Sequence, residues 1–530
     1  MAGMGTPEGS RDRSPSARFL DVELVDDAGG SPHAGSAAPA ALAASAASAA
    51  LAASAASAAS AASAAPSGRA VRVVRRWWWR VAVAVVVVLA VTSVVADRLD
   101  AARLARLAGV AGVVAPLGGP PHAEWSTTDG VWSTPIETAG RLVFATPRSD
   151  HGTDVVALDA GTGTEDWRAP LDPPAADTTA SLTSRCVAVS ASGATPRPLV
   201  ACLAGLFLFN GSGGGTASVT TRSAHLELID AASGAIVRDA PTAPTTAIGA
   251  IGTDLLRVDL ATDGHLRVVR TDPLATTPRW TFTSPTAWRA VDGTVPAIDV
   301  EAGRIFVGGG RSGWVVLSSD GTLVRAGDPA VGSGRVAGFT GRSLFTESTS
   351  SAADAARTDV LDLSTGRSVT VAGDLAGPSP DDRSLPDLVL TWTRDSLVAS
   401  DVTTGATRWS TPLRVNGQGS TFLRGGGQVM VVDEHVVVDD ARSLRMIDGR
   451  SGAVVWEHRH ATPIDRGAAT DGTVVVAVTT ESNSTATMTA YGVADGLPRW
   501  SVSVPPPTQQ LTTLGRSLVV VTPGRITIWG

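Results

Sequence analysis

The chain has 530 residues, a formal net charge of −7 and no lysine, all 43 of its basic residues being arginine. Such a length exceeds one ordinary core, so it calls for several domains or for an architecture that grows by repetition. The acidic balance argues against nucleic acid as a partner, and two cysteines, Cys186 and Cys202, are too few for a zinc-type cluster.

Residues 1–68 do not read as a domain. Gly, Pro, Ser and mixed charge surround one apolar island, Phe19 to Asp27, and an Ala-rich three-residue repeat runs from Leu42 to Ser63. Alanine favours helix, but no large apolar face is available for burial, so a disordered cytoplasmic tail is expected. The acidic island has a second reading, as a docking motif that folds on a cytoplasmic partner.

Residues 69–80 carry five arginines and the triplet Trp77-Trp78-Trp79, and Val81 to Ala96 follows without a charge. As a helix that run spans about 24 Å against a ~30 Å hydrocarbon core, and tryptophan rings at the headgroup level make up the difference. The arginine excess before the run predicts a single-pass transmembrane helix in the cell membrane, with the N-terminus cytoplasmic and the rest of the chain extracytoplasmic. A cleaved signal peptide is the rival reading, against which stands the length of the segment before it. Within 97–121, Leu99, Leu104 and Leu107 suggest a short helical stalk, broken by Pro116, Gly118, Gly119, Pro120 and Pro121.

Residues 122–530 read as an exported all-β domain. Its best repeat is Asp154 to Leu171: an apolar run to Leu158, Asp159, the turn Gly161-Thr162-Gly163, then Trp167 opening a second alternating run. That is a β-hairpin, with glycine supplying the positive φ of the turn and Asp and Thr bonding to turn amides. Strands are expected at Trp132 to Glu137, Arg141 to Thr146, Asp154 to Leu158 and Asp166 to Leu171. A tryptophan eight residues after the aspartate recurs as Asp272 and Trp280, Asp401 and Trp409, and Asp448 and Trp456; Gly492 and Trp500 keep the spacing. Weaker copies sit at Asp230, Asp320 and Asp362. A period of roughly 40 to 47 residues of short strands means a propeller.

The second repeat is enlarged, with an apolar run from Leu199 to Phe209 and a glycine-rich loop after it. Cys186 and Cys202 lie on strand-like runs joined by a turn, so a disulfide between them is expected outside the membrane, with two buried thiols as the alternative. Arg525 to Trp529 is a strand with no partner after it, and Glu124-Trp125 a strand with none before it. Pairing the two would close the ring.

The motif set Ala157-Leu158-Asp159, Thr162-Gly163 and Trp167, repeated at Thr404-Gly405 with Trp409 and at Ser451-Gly452 with Trp456, resembles the quinoprotein-like (PQQ-like repeat) β-propeller family. The resemblance implies four-stranded antiparallel blades, usually eight, with Trp167, Trp280, Trp409, Trp456 and Trp500 docked on neighbouring blades. Eight blades are expected here, with seven to nine left open, on the supposition either that a degenerate turn near Asp320 or Asp362 makes no blade of its own or that Trp125 does not close the ring. The whole arrangement looks like the single-pass, membrane-anchored propellers of actinobacteria.

Two function classes follow. A quinone-dependent dehydrogenase would need Ca²⁺ ligands and a stacking tryptophan at the channel, yet the tryptophans are absorbed by the repeat. Asp381-Asp382 and Asp433-Glu434 read as solvated loops, and His458 with His460 as surface. No nucleophile elbow, zinc helix or phosphate loop occurs, so no catalytic, cofactor-binding or metal-ligating residue is assigned and no cofactor is expected. The leading expectation is a binding or scaffold module for a protein, peptide or cell-envelope ligand. A cell-surface sensor signalling through the tail is the remaining alternative.

Overall fold

The computed structural model describes residues 85–530, apart from isolated positions before residue 98 and a series of inter-strand segments, the longest being 414–427. Residues 1–95 and 96–530 are separate units. In the first, the described positions between Val85 and Val95 are helical and their valines exposed. Among the described residues no helix is long and apolar enough to cross a membrane, which overturns the transmembrane helix expected over 81–96. The physical reason lies in the run itself. It holds too few charge-free residues for the ~20 that spanning requires before Asp97, Arg98 and Asp100 intervene. The tail 1–68, the flank 69–80 and several positions of the 81–96 run lie outside the described residues.

In the second unit a helix over 98–107 precedes 36 strands that, among the described residues, pair into nine four-stranded sheets. The first strand, β1 (Ala123–Thr127), is set aside for the last blade. Blade 1 is β2 to β5 (Ile136–Thr138, Arg141–Pro147, Thr153–Asp159, Glu165–Asp172), and blade 2 is β6 to β9 (Ala180–Ala191, Arg197–Asn210, Ser218–Asp230, Ile236–Thr242). Blade 3 is β10 to β13 (Ala247–Ile251, Asp254–Leu260, His265–Thr271, Trp280–Ala287), and blade 4 is β14 to β17 (Ala297–Glu301, Arg304–Gly308, Trp314–Ser318, Leu323–Gly327). Blade 5 is β18 to β21 (Gly334–Phe339, Ser343–Ser348, Arg357–Asp362, Ser368–Ala372), and blade 6 is β22 to β25 (Asp374–Leu375, Leu388–Trp392, Ser396–Asp401, Thr407–Pro412). Blade 7 is β26 to β29 (Gln428–Val432, His435–Asp439, Ser443–Asp448, Val454–Arg459), and blade 8 is β30 to β33 (Ala468–Thr470, Val474–Ser482, Thr485–Gly492, Pro498–Val504). Blade 9 is β34 to β36 (Gln510–Leu514, Ser517–Thr522, Arg525–Trp529), completed by β1.

The propeller therefore has nine blades, not eight. The weak turns at Asp320 and Asp362 each join the last two strands of a full blade, and β1 pairs antiparallel with β36, Trp125 facing Ile528. Each sheet is an up-and-down meander. Its first strand faces the axis, since the first strands of successive blades touch one another, as β2 does β6, β6 does β10, and β10 does β14. Connections between first and second strands and between third and fourth strands thus emerge on one face, called here the turn face. The other connections emerge opposite.

Apolar side chains gather at the seams between blades rather than in one centre. Val155, Val200 and Ile229 fill the seam of blades 1 and 2, Leu256 and Ile305 that of blades 3 and 4, and Val436 and Leu397 that of blades 6 and 7. Adding a blade adds a seam, which is how this length avoids an oversized core.

Candidate functional site

The recurrent aspartate organises each repeat turn through one oxygen. Asp159 Oδ1 accepts hydrogen bonds from the Gly161 amide (3.1 Å), the Thr162 amide (2.8 Å) and the Thr162 hydroxyl (2.8 Å), while the Gly163 amide donates to the Asp159 carbonyl (2.8 Å). Asp401 does the same with Thr403 and Thr404, and Asp448 with Ser451. These donors favour the charged form. The Thr162 hydroxyl holds the Asp159 carboxyl below its usual range, the Ser364 hydroxyl brings Asp362 down to about 2, and the Arg408 guanidinium depresses Asp401. The aspartates are therefore structural anions.

The strand after the turn then carries a bulge. Ala157 faces Trp167 but Leu158 faces Glu165, so Asp166 is the extra residue; the same slip precedes Trp409, Trp456 and Trp500. A bulge re-aims the next side chain, and here it turns these four indoles onto the following blade, which Trp280 reaches without one. Trp167 Nε1 donates to the Ala231 carbonyl (3.1 Å), Trp280 to Ser319 (3.0 Å), Trp409 to Gly449 (2.8 Å) and Trp456 to Val493 (2.9 Å). Trp125 does likewise with Ala160 (3.2 Å). Each ring lies on the turn glycine of that blade: a Cβ built on Gly234 would stand 2.7 Å from the Trp167 ring, and one on Gly452 2.6 Å from that of Trp409. Trp125 and Trp280 are partly exposed and Trp167, Trp409, Trp456 and Trp500 are buried, but the Nε1 of Trp500 meets no acceptor among the described residues. Its neighbour is blade 9, whose third and fourth strands, β36 and β1, are not consecutive and so share no turn.

Two docking residues carry no sequence signal of the tryptophan kind. Arg325, first after the bulge in β17, lies over Gly366, and Val369 lies against Gly405. Asp272 keeps the spacing to Trp280 without the turn. Its carboxylate instead accepts the Ser192 amide of blade 2 (2.7 Å) and the Leu274 amide (3.0 Å).

Blade 2 departs most from the repeat. Its β6, β7 and β8 run 12, 14 and 13 residues, whereas β9 pairs with β8 only from Ala224 to Ile229. The three long strands therefore project from the face opposite the turns, and the outer edge of β8 over 218–223 has no strand beside it among the described residues. The loop 211–217 lies outside them. Near the base of the projection Cys186 and Cys202 are directly opposed, with Cα atoms 4.1 Å apart and sulfurs bonded. With the cysteines 16 positions apart, replacing both by serine should cost about 3 kcal/mol, read by urea unfolding. The thiols of the unfolded chain should stay unreactive until reduced; free alkylation without reductant would rule the bond out.

On the turn face, residues 98–117 lie against the propeller instead of standing away as a stalk. Leu107 is buried with Val113 and Val432, the Val114 amide donates to the Thr470 carbonyl (3.0 Å), and the Leu117 amide to Asp471 (2.7 Å). Arg103 pairs with Asp433 (2.9 Å), and Arg106 with Asp433 (3.2 Å) and Asp382 (3.6 Å). The two acidic pairs noted in the sequence are thus brought together: the Asp433 amide donates to Asp382 (2.8 Å) and the Glu434 amide to Ser384 (2.7 Å). Blade 6 supplies its half through the long β22–β23 connection, whose Ser379 to Asp382 bonds alongside β26.

The cofactor implied by the fold, a quinone with Ca²⁺, needs six to eight converging oxygens. Among the described residues no three His, Cys, Asp or Glu side chains gather to hold a metal ion. Asp382 and Asp433 are already engaged by amides and arginines, and inner strands such as Ala247–Ile251 offer only aliphatic side chains. The residues present do not fit that group. His458 caps a seam, its Nε2 within 2.7 Å of the Gly496 carbonyl and its ring stacked on Tyr491 at 4.1 Å. His460 lies outside the described residues.

A family model, PQQ_2, described as outer membrane protein assembly factor BamB, matches residues 264–529, half of the chain. No curated protein matches. Among solved structures, a europium-containing methanol dehydrogenase is 11% identical, with 76% of this chain and 84% of that one covered and a TM-score of 0.36. The quinohemoprotein alcohol dehydrogenase ADHIIG from Pseudomonas putida HK5 is 13% identical over 77% and 76%, at a TM-score of 0.36. A eukaryotic initiation factor is 12% identical over 74% and 90%, at 0.43.

Proposed function

The chain belongs to the PQQ_2 propeller family, and from that premise we propose that it is a binding or scaffold module, gripping a protein or peptide outside the cytoplasm through the projecting sheet of blade 2. One observation carries this reading: the free edge of β8 over 218–223 offers a row of backbone donors and acceptors on a rigid base. An extended segment added to such an edge gains main-chain hydrogen bonds, with side chains on alternate positions setting specificity. The Cys186–Cys202 bond braces that base and supports an oxidising compartment. On the turn face Asp382 and Asp433 are engaged by Arg103 and Arg106, whereas the blade 2 edge on the opposite face has no strand beside it among the described residues.

The test places a photocrosslinking residue at Thr220 in the full chain, expressed in its own host, beside a control at Thr283 on the outer strand of blade 3. A discrete partner adduct at Thr220 with none at Thr283 is the expected result. Equal adducts at both sites, or no adduct at Thr220, would overturn the reading. In a parallel arm, quinone with Ca²⁺ is expected to produce neither a melting shift nor alcohol-dependent dye reduction. Saturable shift together with dye reduction would promote the dehydrogenase.

A further inference from the structure

A cavity of about 560 Å³ lies on the turn face between residues 109–111, the first strand of blade 5 and the β22–β23 connection. Val110, Phe339, Leu375, Leu385 and Val389 wall it with hydrocarbon. Its charged groups are Glu301, Asp381, Asp382 and Arg383. Glu301 pairs with Arg383. Asp382 pairs with Arg106 and accepts the amides of Asp433 and Ser384. Asp381 alone has no cation: one oxygen accepts the Arg383 amide (2.8 Å), and none of the ion pairs among the described residues includes it.

From this geometry we infer a binding site for a small amphiphilic amine, its ammonium on Asp381 and its hydrocarbon body along Phe339, Leu375 and Val389. Sites of 300–1,000 Å³ with apolar walls and few placed polar groups are the usual form of small-ligand pockets. Asp381 is half-buried, so its carboxylate has lost part of its water without gaining a counter-charge. Burial and the neighbouring Asp382 push the Asp381 carboxyl up, so a cation that displaces water there regains what burial takes away. A divalent metal does not fit, because one free carboxylate among aliphatic walls falls short of an oxygen shell. A neutral apolar ligand would leave Asp381 uncompensated. The site is separate from the blade 2 edge, on the other face of the ring.

Thermal-shift and calorimetric titrations of the full chain with octylamine, octanol and the tripeptide Leu-Leu-Leu test this, the tripeptide separating a free amine from a peptide N-terminus. Saturable octylamine binding at least about tenfold tighter than octanol is expected, as for a charged hydrogen bond. Asp381→Asn should remove that preference and leave octanol binding unchanged. Should that variant fail to fold, Ala337→Leu, which narrows the cavity and keeps Asp381, should weaken both ligands. No saturable binding, equal affinity for amine and alcohol, or an amine preference that persists in the asparagine variant would each overturn the assignment.

Discussion

Trp409→Ala is expected to lower the unfolding free energy by about 3–5 kcal/mol, the range for deleting a buried tryptophan. Trp409 is 7% exposed, packs with Leu397, Val436 and Ile447 at the seam of blades 6 and 7, and donates to the Gly449 carbonyl at 2.8 Å. Its removal opens a gap that backbone on both sides holds apart, and it strips a buried carbonyl of its donor. Trp500→Ala serves as the internal comparison. Its ring is buried to a similar degree but its Nε1 meets no acceptor among the described residues, so its cost should be smaller by about 1 kcal/mol, the net worth of one hydrogen bond. Urea unfolding at constant m-value measures both. A cost near zero at Trp409 would show that the ring does not hold the seam.

Asp440→Ala should be as damaging, about 3–5 kcal/mol, through charge rather than packing. The Arg445–Asp440 pair joins the ends of the β27–β28 connection with side chains only 3% and 2% exposed, at 2.5 Å. Arg445 also donates to the Ser443 hydroxyl (2.8 Å) and to the Pro412 carbonyl of blade 6 (2.7 Å), and Asp440 accepts the Ser443 amide (2.7 Å). Removing the carboxylate strands a guanidinium that cannot shed its proton. Arg445→Met combined with Asp440→Ala should cost less than Asp440→Ala alone, because the buried charge goes with it. A double variant less stable than the single one would mean that the pair is valued for its hydrogen bonds, not for charge cancellation.

The repeat was legible because its parts are local. One aspartate, one glycine at positive φ and one tryptophan sit within a dozen residues, and the chemistry of each forces the turn. Strand pairing across the ring was legible as well, since Glu124-Trp125 and Arg525 to Trp529 each lacked a neighbour. The blade count went astray where the docking tryptophan is replaced. Arg325 and Val369 fulfil the role through what lies opposite them, Gly366 and Gly405, and nothing in their own identity announces it. Asp382 and Asp433 looked like solvent-facing charge in the sequence. Their partners, Arg103 and Arg106, lie hundreds of positions away, and only the ring brings them within reach. The cavity beside Asp381 belongs to the same class, assembled from separate segments with no common motif.

Ring closure by β1 and β36 sets an order of events during synthesis. β1 leaves the ribosome ahead of every blade and must wait for the last strand of the fold before its edge is paired. Until then, blades 1 to 8 can stack in sequence, each neighbour available as soon as it is made, while both ends of the arc stay open to other chains. Such late, distant pairing slows folding and leaves strand edges free for misassociation. A chaperone that shelters strand edges would therefore matter most in the interval between the completion of blade 8 and the release of Trp529.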